Sequence, residues 1–259
     1  MSDLLKRSRK INRLLQQTGG KSVDFSDMAG VLRETIECNV YIADTTGEIL
    51  GHKLLEDFEC EVLENEVLEN GEFPADYNDI LLKTANIKRN IKKGEKGCIF
   101  NNEEECLYEN KLTTIVPIFG GGDRLGTLIL ARYNDDFTDH DLFLAEYGSS
   151  VIGMEIMRNK NEEIEKEIRD KTEVQIAVDT LSFSELEAVQ HIFDELDGKE
   201  GLLVASKIAD EIGITRSVIV NALRKLESSG VIDSRSLGMK GTHIKILNDH
   251  LLDEMEKVS

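Results

Sequence analysis

Apolar residues recur along the chain in two rhythms, one helical and one extended, and their order predicts the elements. Residues 4–17 read as a helix with Leu4, Leu5, Ile11, Leu14 and Leu15 on one face, ended by Gly19 and Gly20. A second helix runs from about Ser26, its expected cap, to Glu37, with Met28, Val31, Leu32 and Ile36 as the stripe. Residues 39–44 and 48–51 read as strands around a turn at Thr45, Thr46 and Gly47. Residues 59–70 set Val62, Leu63, Val67 and Leu68 among glutamates, which predicts a helix with an acidic outer side. The chain turns near Phe73 and Pro74, because a residue before proline avoids helical geometry. After an irregular stretch, residues 112–119, 120–126 and 127–132 read as strand, glycine turn and strand. A long helix capped by Thr138 or Asp139 then continues to about Val178. From Arg158 to Glu173 it is mostly charged, as befits a solvated connection between two domains.

The C-terminal third carries the sharpest pattern. Ser184-Glu185-Leu186-Glu187 has the form of a capping box, opening a helix that stops at Asp197 and Gly198. Residues 203–211 form a short helix with Ile208 and Ala209 inward, and Gly213 supplies the turn. Thr215 caps the next helix, in which Val218, Ile219, Ala222, Leu223 and Leu226 face the core. The opposite face presents Arg216, Ser217, Val220, Asn221, Arg224 and Lys225. Bidentate donors, one amide able to read adenine and small groups permitting close approach are what a major-groove helix requires. Gly230 ends it, and residues 231–236 and 242–247 read as strands around a glycine-containing basic loop. That loop is a wing suited to the phosphate backbone, and Arg235, Lys240 and Ser206 complete the candidate DNA-contacting set.

Composition adjusts this picture. A chain of 259 residues suits two domains, and the element order predicts an α+β sensor followed by a winged helix-turn-helix. The net charge of −19 opposes nucleic-acid binding if spread evenly. Residues 201–247, however, hold seven basic against four acidic residues, leaving a local +3 to meet phosphates. The basic N-terminus lacks the apolar stretch of a secretory signal, and no run is long enough to span a bilayer, so a cytoplasmic protein without membrane contact is expected. Cys38, Cys60, Cys98 and Cys106 show neither CxxC spacing nor a histidine cluster, which predicts reduced thiols and no metal. With no nucleophile–base motif, catalysis is not expected. A signalling enzyme or nucleotide hydrolase, and a protein–protein adaptor using the winged helix, are the alternatives.

Four strings carry a family resemblance: GLLVASKIAD at 201–210, GITRSVIVNALRKLE at 213–227, SRSLGMKGT at 234–242 and LTTIVPI at 112–118. Through them the sequence resembles the CodY family, pleiotropic transcription repressors of low-GC Gram-positive bacteria. The resemblance implies a GAF domain over residues 1–155, a helical linker over 156–180 and a winged helix-turn-helix over 181–259. It implies a homodimer that binds a double-stranded operator more tightly when isoleucine, leucine or valine is bound, and that responds to GTP, with no tightly bound cofactor. Phe73, Pro74, Tyr77 and Phe100 match the family's amino-acid pocket, and Glu155 and Lys160 match residues of its nucleotide site. Two departures stand out. Leu63 and Glu64 lie where the family places an arginine and a methionine, so backbone amides must hold the ligand carboxylate. Thr45, Thr46 and Glu48 surround the first hairpin glycine, where family members can carry basic residues. The 120–126 segment lacks the lysine of a phosphate loop and joins strands instead of opening a helix, so it reads as a hairpin turn.

Overall fold

Side-chain alternation along extended segments builds the sheet on which the N-terminal half is organised. A computed structural model describes residues 3–17, 23–92, 100, 108, 110–133, 135–196 and 198–258. The chain divides into two units, Met1–Lys160 and Asn161–Ser259.

In the first unit, α1 (Asp3–Gln17) and α2 (Phe25–Ile36) precede the hairpin β1 (Asn39–Asp44) and β2 (Ile49–Lys53). On α1, Ile11 is buried, whereas Leu5 is exposed and not part of the inward stripe; the Leu14 and Leu15 side chains and Gly19 and Gly20 lie outside the described residues. Asp24, not Ser26, caps α2: its carboxylate accepts the Ser26 N–H at 2.7 Å. A carboxylate satisfies that orphan donor and also favours the positive end of the helix dipole. The expected helix at 59–70 is one turn of α-helix, α3 (Glu61–Leu63), running into a π-turn, Glu64–Leu68, that keeps Leu63 and Val67 buried.

The stretch read as irregular holds two elements. Pro74 caps α4 (Ala75–Leu82), and β3 (Lys88–Lys92) is an edge strand. β4 (Lys111–Gly120) and β5 (Asp123–Tyr133) form a hairpin whose turn is only Gly121 and Gly122, both at positive φ, so the predicted seven-residue turn is mostly strand. The sheet order is β2-β1-β5-β4-β3, with every pair antiparallel. α5 (Asp139–Asp179) begins in this unit. Thr138 is its cap, receiving the Asp141 N–H at 3.3 Å and returning its own N–H to the Asp141 carboxylate at 2.9 Å.

The sheet has two working faces. Val40, Ile42, Val116, Ile118, Leu128 and Leu130 join a core with α2 and α5, whereas Tyr41, Ala43, Ile115 and Ile129 look toward α3 and α4. Close strand approach depends on Gly126, where a Cβ would lie 2.2 Å from the Ala43 carbonyl oxygen. Gly126→Ala must therefore part β1 from β5 and is expected to destabilise the unit by at least about 1–3 kcal/mol. Urea unfolding with an unchanged midpoint would show that the strands yield freely there.

In the second unit, α6 (Phe183–Glu195) is capped by Ser182, not Ser184, in a capping box with Glu185. β6 (Glu200–Leu203) takes Leu203 into a strand, so the next helix, α7 (Ala205–Ile212), starts two residues later than expected. α8 (Arg216–Ser228), β7 (Ile232–Ser236), β8 (Thr242–Ile246) and α9 (His250–Val258) follow. The sheet order is β6-β8-β7. Val174, Ala177 and Val178 of α5 share the unit's core with Val189 and Ile192 of α6 and Ile219, Ala222, Leu223 and Leu226 of α8. Among the described residues, no helix is long and apolar enough to cross a membrane.

Candidate nucleic-acid interface and ligand site

The α7–turn–α8 arrangement follows from one backbone requirement. Gly213 ends α7 at φ +73°, a conformation cheap only without a Cβ, and the chain re-enters helix at Thr215. Thr215 occupies the cap position, but its hydroxyl meets the Ser217 hydroxyl at 2.7 Å instead of a helix N–H. Burial of Ile219, Ala222, Leu223 and Leu226 turns Arg216, Ser217, Val220, Asn221 and Arg224 outward, and all five are exposed. Ser206 is exposed in the first turn of α7. Arg235 on β7 and Lys240 in the 3-10 turn Gly238–Lys240 are exposed on the wing.

Lys225 stands apart from this set. Its ammonium donates to the Glu185 carboxylate at 2.7 Å and to the Thr180 carbonyl at 2.9 Å. Burial acts to raise the Glu185 pKa, but the Lys225 ammonium together with the Ser182 N–H and hydroxyl outweighs it, leaving the carboxyl below its ordinary value. The Lys225 ammonium is thus engaged by two acceptors of its own domain.

In the first unit, residues from three segments converge on one aromatic cluster. The Phe73 ring lies 5.3 Å from Tyr77 and 6.1 Å from Phe100, and Tyr77 lies 5.2 Å from Phe100. Phe73 and Tyr77 are buried, Phe100 and Pro74 half-buried. Sequence reading missed Tyr41, whose ring is 6.1 Å from Phe73, and the Lys111 ammonium 5.1 Å above Phe100. Alternation along β1 was the available signal for Tyr41, because it puts Tyr41 and Ala43 on one face. Burial pushes the Tyr41 and Tyr77 phenols above their ordinary value, so both stay neutral hydroxyls.

The two residues matched to a nucleotide site differ in exposure. Glu155 is buried: its carboxylate accepts the Val23 N–H at 2.7 Å and lies 3.5 Å from Arg158. Lys160 is exposed. At the first hairpin, the Asp44 carboxylate takes the N–H groups of Thr46, Gly47 and Glu48 at 2.8–2.9 Å and the Thr46 hydroxyl at 2.7 Å. Those donors are the ones that would otherwise cradle an anion. Cys38 and Cys60 are free thiols, Cys98 and Cys106 lie outside the described residues, and no group of three metal-ligating side chains occurs among the described residues.

A sensor-like unit joined through a long helix to a winged helix-turn-helix is the build of a DNA-binding transcription regulator. Residues 3–180 match the family description "CodY GAF-like domain", and residues 199–259 match "CodY helix-turn-helix domain". The chain belongs to the CodY family. It is 57% identical over 258 residues to the global transcriptional regulator CodY of Clostridium acetobutylicum, and 57% identical over 259 residues to that of Clostridium tetani, covering 100% of both chains in each case. It is also similar to a solved structure described as the cofactor-binding GAF domain of the nutrient sensor CodY from Clostridium difficile. That match has 39% identity and a TM-score of 0.42, over 60% of this chain and 99% of that one. The chain is accordingly a transcriptional regulator with a GAF sensor domain and a DNA-binding helix-turn-helix, in a family of regulators and not of enzymes.

Proposed function

We propose that the sensor binds a branched-chain amino acid among Phe73, Pro74, Tyr77 and Phe100, and that the bound ligand raises affinity for a double-stranded operator. The protein then acts mainly as a cytoplasmic repressor that links nutrient status to gene expression. The observation that carries this reading is the convergence of the Phe73 and Tyr77 rings, at the start of α4, with the Phe100 ring from a separate segment of the chain. Such a cluster suits a branched alkyl group, whose full burial contributes roughly 1.5–3 kcal/mol. Backbone N–H groups hold the carboxylate, since Leu63 is apolar and Glu64 acidic. Operator contacts come from Ser206, Thr215, Arg216, Ser217, Val220, Asn221, Arg224, Arg235 and Lys240.

The division of labour is a sensor over residues 1–155, a linker over 156–180 and a DNA-binding domain over 181–259. Linkage requires that the ligand favour the DNA-competent arrangement over the other one. The protein works as a homodimer, a reading supported by the exposed Phe143 and Met154 with Tyr147 between them on α5. Titration calorimetry with isoleucine, leucine and valine, paired with operator binding, tests the scheme. Saturable heat and tighter operator binding are expected; no heat from any of the three would end the amino-acid reading.

GTP is the weaker effector in this scheme. Asp44 already fills the hairpin N–H groups and Glu155 is engaged by Val23, which leaves Lys160 as the cation for phosphate. Thr46→Arg with Glu48→Lys is expected to tighten GTP binding, and Lys160→Ala to weaken it. Low-micromolar GTP binding that Lys160→Ala leaves unchanged would put the nucleotide elsewhere.

A further inference from the structure

We infer that Lys225 is a positioning residue, which fixes the recognition helix α8 against the end of α5 and makes no contact with DNA. The operator half of the case needs only the DNA-binding domain; the effector half rests on the amino-acid reading above. Sequence pattern puts Lys225 beside Arg224 on a basic helix, where it looks like one more phosphate contact. Geometry separates the two, because the Lys225 ammonium, on a side chain 41% exposed, is engaged at two points within the domain.

One of those points is the backbone carbonyl of Thr180, the first residue after α5 ends at Asp179. The other is Glu185, 7% exposed, which also accepts the Ser182 N–H at 2.8 Å at the start of α6. A single ammonium therefore joins the end of the linker helix, the cap of α6 and the last turn of the recognition helix. A lysine has three donors, and two of them are spent here on acceptors inside the domain. Lys225 stands nine residues beyond Arg216, about 13 Å along the axis at 1.5 Å per residue, away from the helix start that reads base edges in such motifs. The contact holds the far end of α8, so a small rotation there displaces the near end against the groove. It also ties the residue that follows the linker helix to the element that reads DNA.

Titration of operator DNA over a range of salt, by fluorescence anisotropy, distinguishes this role from phosphate contact. Lys225→Met is expected to weaken binding at least tenfold while the slope of log K against log salt stays that of the wild type. Glu185→Gln removes a negative charge, which on simple electrostatics would tighten binding; it is expected instead to weaken it. The double variant should bind no worse than the weaker single one, because both break one contact. A slope reduced by about 0.9 in Lys225→Met, one counterion's worth, would overturn the inference. So would wild-type or tighter binding by Glu185→Gln, which decides the matter alone if Lys225→Met fails to fold. With isoleucine present, the gain in operator affinity is expected to shrink at least threefold in both variants. An undiminished gain would remove the linker from the role of Lys225. If the wild type itself shows no gain, the amino-acid reading fails, while salt slope and affinity still judge the positioning role.

Discussion

Arg216→Ala, Asn221→Ala and Arg224→Ala are each expected to weaken operator binding by roughly 1–3 kcal/mol, the worth of one good base contact. The three side chains share the exposed face of α8, opposite the buried Ile219, Ala222, Leu223 and Leu226. Because they are exposed and alanine is a strong helix former, none of the substitutions should lower stability by more than a few tenths of a kcal/mol. The variants should also differ among themselves. Loss of an arginine that touches phosphate lowers the salt slope and weakens all sequences alike, whereas loss of Asn221 leaves the slope intact and relaxes discrimination at one base pair. Mobility-shift titration against the operator and against single-base variants reads both quantities. Wild-type affinity in all three proteins would take α8 out of the interface.

What was legible in the sequence follows from how each element earns its burial. α8 could be read because four inward positions recur with helical period and a glycine and a cap candidate bracket its start. β3 could not, since an edge strand reading Lys-Arg-Asn-Ile-Lys offers a single apolar side chain and no alternation. α4 was hidden by its brevity, because one buried pair, Tyr77 and Asn78, and Leu81 make barely two turns. Caps were degenerate: Asp24 and Ser26 both fit the start of α2, and Ser182 and Ser184 both fit the start of α6, so only the hydrogen bonds decide. The outward face of α8 was legible except at Lys225, whose partners come from distant sequence that no local pattern announces. The burial of Glu155 was invisible for the same reason, its partner being the backbone of Val23. Resemblance named Phe73, Pro74, Tyr77 and Phe100, but it took the fold to bring Tyr41 to the same cluster.

That cluster yields the other large expected effect, and its two phenylalanines should respond differently. Phe73 is 3% exposed, with ring neighbours Tyr41, Tyr77 and Phe100. Phe73→Ala leaves a hole in packed core and is expected to cost about 3–5 kcal/mol of stability in the sensor unit. Loss of isoleucine binding in that variant would therefore mix a missing contact with a loosened fold. Phe100 is half-buried and leans on Phe73 and Tyr77 from one side, with the Lys111 ammonium over its ring. Its removal strips apolar surface from the edge of the cluster with less left unfilled behind it. Phe100→Ala is expected to lower isoleucine affinity by more than tenfold, above about 1.4 kcal/mol, with a clearly smaller loss of stability than Phe73→Ala. Calorimetric titration gives the first quantity and urea unfolding without ligand the second. If Phe100→Ala binds isoleucine as the wild type does, while Phe73→Ala loses only stability, the rings are core and the ligand sits elsewhere in the sensor.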